Sequence, residues 1–111
     1  MAINKRGKQS FIPPARPVIT TWASIAGKKE SEGPLRTYFD KTFHDNHFGQ
    51  PSWEQAEKKL QQLALETLAK KAGIPKKQFD MVFSGDLLNQ CIGSSFTLRN
   101  QNIPHLGLYG A

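Results

Sequence analysis

The sequence predicts an α/β chain in which parallel strands are joined by crossover helices, and three observations predict it. Residues 53–72 carry one long helical pattern, residues 79–83 form a short apolar run closed by turn residues, and residues 105–109 form a second such run. Helix, strand, helix, strand in that order is the alternation that parallel sheets require.

The helix is the strongest local signal. Ser52 is placed to cap its start with Gln55 three residues on, Glu54 suits the first turn, and Trp53, Ala56, Leu60, Leu63 and Thr67 recur at helical spacing. Ala64 and Leu68 widen the stripe, Lys70 and Lys71 suit the last turn, and Gly73 suits the left-handed position that ends a helix. Phe79 to Phe83 reads as a strand that Ser84-Gly85-Asp86 terminates by turn chemistry. Leu87 to Arg99 reads as a short or irregular helix, weakened by Gly93, Ile92 and Thr97, and His105 to Tyr109 as the last strand.

Upstream the pattern is looser. Residues 1–17 hold a Pro-Pro pair and Pro17 and read as an extended basic arm. Residues 18–111 form the remaining unit, beginning with the β-branched and aromatic run Val18 to Ala23, a strand that Gly27 closes. From Ala26 to Pro51 a long connection without clean periodicity follows, of the kind that is functional or interfacial in small domains.

Fifteen Lys and Arg against nine Asp and Glu leave a net charge of +6, compatible with nucleic acid, anionic lipid or anionic small molecules. Part of the excess sits at Lys5, Arg6 and Lys8, part at Lys70 and Lys71, part at Lys76 and Lys77, which reads as solvated surface. A lone cysteine, Cys91, excludes an internal disulfide framework and fits a reducing compartment. No apolar run is long enough to cross a bilayer and the start, MAINKRGKQS, lacks the apolar core of a secretory signal, so a soluble intracellular chain with at most peripheral membrane contact is expected.

Four candidate chemistries follow. His44 and His47 with Asp40 and Asp45 offer metal-type donors, but a closed site takes about four converging ligands, and polar loop residues are the expectation; no metal or other cofactor is expected. The KRGK arm with Phe11 could follow a phosphate backbone, yet no nucleic-acid motif accompanies it, and Trp22, Trp53 and Phe83 lie in apolar patterns that read as core. Cys91 reads as a small hydrophobe on a helix, not a nucleophile. The run from Phe83 to Gln90 is more informative: Gly85 permits a tight turn, Asp86 can cap the next helix, and Asn89 and Gln90 present amides near the carboxyl end of a strand, where a ligand or partner subunit would sit. Gly85, Asp86, Asn89 and Gln90 are therefore the ligand- or interface-proximal candidates, with a plain helix cap as the equal alternative for Asp86.

Several runs resemble one family. AGKKESEGPL (26–35), FDK (39–41), WEQAEKKL (53–60), SGDLLNQ (84–90) and IPHLGLYGA (103–111) are similar to the N-terminal part of the stage V sporulation protein AD family of endospore-forming bacteria. The resemblance runs from about Lys8 onward. It implies a thiolase-like fold related to the condensing enzymes of fatty-acid synthesis. It also implies a role in binding dipicolinic acid and its uptake into the developing spore, beside other stage V sporulation proteins of the A group at the spore inner membrane. A homodimer fits that reading. In the family a cysteine that begins a helix follows the motif matching LYGA, at the position of the condensing enzymes' nucleophile, whereas Ala111 is the last residue here. The resemblance therefore implies a partial thiolase-like domain without that cysteine, without most of the ligand pocket and without enzymatic activity. The rival expectations are an acyltransferase fragment completed by another chain and a small basic nucleic-acid binder.

Overall fold

The computed structural model describes residues 4–86, 88 and 90–109. Its strands are β1 (Asn4–Arg6), β2 (Ser10–Ile12), β3 (Ile25–Ala26), β4 (Lys41–Thr42), β5 (Val82–Ser84) and β6 (His105–Gly107). Its α-helices are α1 (Lys28–Ser31), α2 (Trp53–Ala72) and α3 (Ile92–Leu98), and single 3-10 turns stand at Arg36–Tyr38 and Lys76–Gln78.

Helix α2 spans the residues its pattern predicts. The Ser52 hydroxyl accepts from the Gln55 N–H at 3.3 Å, and at the other end Gly73 takes φ +68° while its N–H donates to the Lys70 carbonyl at 3.2 Å. The Ile74 N–H reaches back to the Ala69 carbonyl, so two of the last turn's carbonyls, those of Ala69 and Lys70, are partnered by the cap.

The strands form three two-stranded sheets: β1 with β2 antiparallel, β3 with β4 parallel, and β5 with β6 parallel. In the last pair Val82 faces His105, Phe83 faces Leu106 and Ser84 faces Gly107, with α3 as the crossover. Parallel pairing with a crossover helix is thus present, in short pairs and not in one wide sheet.

Several expectations are corrected. Residues 18–23 form no strand: β propensity without a partner does not hold a strand, and pairing begins at Ile25 where β4 is available. The basic arm is extended but folds back on itself as a hairpin about Gly7. The strand expected at 79–83 lies at 82–84, because the Gln78 N–H closes a turn on the Pro75 carbonyl and the Phe79 N–H one on Lys76. The helix expected at 87–99 starts only at Ile92, since Gln90 (φ +42°) and Cys91 (φ +70°) adopt left-handed conformations that no helix can pass through. The strand expected at 105–109 is 105–107, although the Leu108 N–H still donates to the Ser84 carbonyl at 2.7 Å.

The core is small. Ala26, Ala56, Ala69, Cys91, Leu98 and Ile103 are its buried apolar residues among those described. Trp22, Trp53 and Phe83, expected in the core, are 69%, 54% and 56% exposed, because two-stranded pairs and one long helix supply too little surface to cover them. Phe83 and Leu106 stand side by side on the outward face of the β5–β6 pair.

Candidate functional site

At the carboxyl end of β5 the chain passes from Ser84 through Gly85 to Asp86, and the fate of the Asp86 carboxylate defines the region. It is buried and accepts from the Cys91 N–H at 2.9 Å, the Ser94 N–H at 3.2 Å and the Ser94 hydroxyl at 2.9 Å. The two N–H groups are among the amides a helix start leaves without intrahelical partners, and the Ser94 hydroxyl adds a third donor. Asp86 thus caps α3 from five residues before Cys91, across the left-handed turn at Gln90 and Cys91, and its oxygens are turned to the protein. Gly85 is exposed and borders an apolar groove of about 390 Å³ between α2 and β5, with Leu65, Leu68, Val82 and Leu98. Gln90 is exposed on the turn. Asn89 lies outside the described residues. Of the four candidates, Gly85 and Asp86 are adjacent on the loop, but Asp86 serves the cap.

The ring nitrogen Nε2 of His105 and the Ser84 hydroxyl share a hydrogen bond across the β5–β6 pair. Sequence reasoning missed it, because it follows from a register that sets Val82 opposite His105. The same face carries Gly107, against which Cys91 packs: a Cβ at Gly107 would lie 3.0 Å from the Cys91 sulfur. The thiol is buried and donates to the Leu108 carbonyl at 3.5 Å. Cys91 occupies the place of a small apolar residue beneath β6.

Glu57 was also missed. It lies on α2 against Gly93, where a Cβ would come to 3.0 Å from its Oε2, so glycine leaves room for α3 to lie close to this carboxylate without shifting it. That oxygen is buried and has no hydrogen-bond partner. Burial pushes the Glu57 carboxyl above its ordinary value, and the negative charges of Asp86 and Glu54 push it further. A signal for it existed: a charged residue directly beside Trp53, Ala56 and Leu60 on the helix's apolar stripe. Glu57 borders a second hollow of about 400 Å³ with Phe48, Trp53, Leu60 and Leu88. Among the described residues neither hollow is lined by Lys or Arg.

The His44 to His47 loop carries structural contacts. Asp45 accepts from the His47 and Gly49 N–H groups, both at 2.9 Å, which holds its carboxyl below the usual range. The His47 ring lies against Trp53 at 4.1 Å between centroids, and His44 Nδ1 is 3.5 Å from the Ser31 hydroxyl. Asp40 is held down chiefly by the Lys71 ammonium at 2.7 Å and also by the Ser24 N–H at 2.8 Å, tying the start of the β3–β4 pair to the end of α2. Among the described residues no three His, Cys, Asp or Glu side chains stand together as a metal site.

Comparison with known proteins accounts for this arrangement of runs and loops. A family model described as stage V sporulation protein AD matches residues 7–111. The chain belongs to the stage V sporulation protein AD family. A stage V sporulation protein AD from Bacillus subtilis (strain 168) is 36% identical over 105 residues, which is 95% of this chain and 31% of that protein. The chain therefore spans about a third of the length of the curated relative it matches. The runs at 26–35 and 53–60 lie within the matched segment and fall on the end of β3 with α1 and the start of α2, and the described residues of 84–90 lead from β5 toward α3. Among the described residues no helix is long and apolar enough to cross a membrane.

Proposed function

We propose that the chain is part of a spore-formation protein of thiolase-like architecture that binds dipicolinic acid and serves its uptake into the developing spore, without catalysing a condensation. Family membership carries this reading. The β5–α3–β6 unit, a parallel pair with its crossover helix, is compatible with such a fold and supplies scaffold to it. Dipicolinate is a dianion at neutral pH, and the two apolar hollows offer it no cation while Glu57 and Asp86 oppose it. In this reading the counter-charges are cations that line neither of these two hollows, with the Ser84-Gly85 corner as a neutral wall. The burial of Cys91 against Gly107 and Leu108 supports a non-enzymatic role for this segment. Partners in this reading are the other stage V sporulation proteins of the A group and a second copy of the protein.

A chimera tests the proposal: residues 7–111 replace the matching 31% of the Bacillus subtilis relative, and dipicolinate binding is measured by equilibrium dialysis. The chimera is expected to bind, and the 111-residue chain alone is not. Absence of binding by the folded chimera, or acyl transfer from acyl-coenzyme A by either protein, would overturn it.

A further inference from the structure

Charge on this chain is segregated. Six of its fifteen basic residues (Lys5, Arg6, Lys8, Arg16, Lys28 and Lys29) lie in residues 1–29, where no acid occurs, and the other nine are matched by all nine acids in residues 30–111. The whole net charge of +6 thus belongs to the first 29 residues. Every residue from Asn4 to Thr20 is exposed, so the β1–β2 ribbon stands free of the body.

Large apolar side chains accompany the cations. Phe11 is paired with Lys5 and is 63% exposed, Ile12 is paired with Asn4 beside Arg6, and Val18 and Ile19 are 77% and 86% exposed. Residues opposite one another in an antiparallel pair share a face, so each face of the ribbon sets a cation beside an apolar group. Arg6 and Lys8 flank the Gly7 turn at its tip.

We propose that the N-terminal ribbon is a docking element for an anionic lipid surface. Cations alone would suit any polyanion. The aliphatic Ile12, Val18 and Ile19 decide against nucleic acid, whose phosphates and base faces reward cations and aromatic stacking, whereas a lipid interface takes both the charge and the aliphatic groups. The turn and β2 lie inside the segment that matches the family, and Lys5 and Arg6 lie just before it. The inference does not depend on dipicolinate binding.

The test uses the 111-residue chain with phosphatidylcholine vesicles, with and without a minority of phosphatidylglycerol, in sedimentation assays. Binding is expected to the anionic vesicles alone and to weaken as salt rises to physiological strength. Replacing Lys5, Arg6 and Lys8 by Gln is expected to lower the partition coefficient by roughly fivefold per residue. Phe11→Ser with Ile12→Ser is expected to lower vesicle binding while leaving any binding to duplex DNA unchanged. Should a variant lose the far-ultraviolet signal of α2, the affinities of the unaltered chain for anionic vesicles, neutral vesicles and duplex DNA at one salt concentration make the same discrimination. Equal binding to neutral vesicles, salt-independent binding, or tighter binding to duplex DNA than to anionic vesicles would overturn the proposal.

Discussion

Glu57 is the residue whose charged form the structure most directly disfavours. Its folded-state value is raised by burial, then by Asp86 and Glu54, so protonation favours the folded state. The stability this contributes is complete below the ordinary value near 4.5 and is lost as pH rises through the raised value. Glu57→Gln is therefore expected to stabilise the chain at neutral pH. Relief of the Glu54 repulsion alone is worth about 0.2–0.5 kcal/mol at this helical spacing, and relief of burial and of Asp86 adds to it. The advantage should shrink as the pH falls toward 4.5, which urea midpoints of both proteins across that range will read. An advantage that grows on acidification would contradict the assignment. Asp40 and Asp45 have the opposite sign, since their lowered values make the ionised form the stabilising one.

At the scale of elements, α3 depends on a cap it does not carry next to it. Seven residues are too few to hold a helix in water without tertiary support, and three of the donors at its start converge on Asp86. Asp86→Ala leaves those buried donors unpaired and is expected to cost about 2–3 kcal/mol, read as a lower urea midpoint with faster amide exchange at Cys91 and Ser94. Unchanged exchange there would show that the cap is not what holds α3. How legible this was in the sequence depends on distance along the chain. Helix α2 was legible to the residue because Ser52, the apolar stripe and Gly73 are all local signals. The strands β3 to β6 were not, because pairings two or three residues long are decided by register with a partner at least 16 residues away, as Ile25 with Lys41 and Val82 with His105 show. The capping role of Asp86 was one of two readings left open by GDLLNQ. Its reach over the Gln90–Cys91 turn was hidden, since non-glycine residues at positive φ leave no mark in the sequence. The Ser84–His105 bond was hidden for the same reason as the strands.

The whole molecule exposes 8539 Å², whereas a compact monomer of its 12.4 kDa exposes about 6,100 Å². Its radius of gyration of 15.6 Å likewise exceeds the roughly 13 Å of a compact chain of this length. Part of the excess is the ribbon, and part is the open side of α2 and the β5–β6 face, where Trp53, Phe83, Leu106 and Leu108 meet solvent. The 111-residue chain on its own is expected to unfold broadly below about 45 °C, under the range of ordinary mesophile domains, and to bind the dye ANS before it does. A sharp monomeric transition well above that temperature would show that these surfaces need no cover.

The segregation of charge bears on how copies of the chain behave toward one another. A body with no net charge and many exposed apolar groups has little to keep it dispersed, since proteins near zero net charge tend to associate. Repulsion between copies rests on the ribbon, Arg16 just after it and the two lysines that open α1. If phosphate headgroups neutralise the ribbon, that repulsion goes with it, so the event that brings the chain to a surface would also release its neutral faces to crowd together in two dimensions.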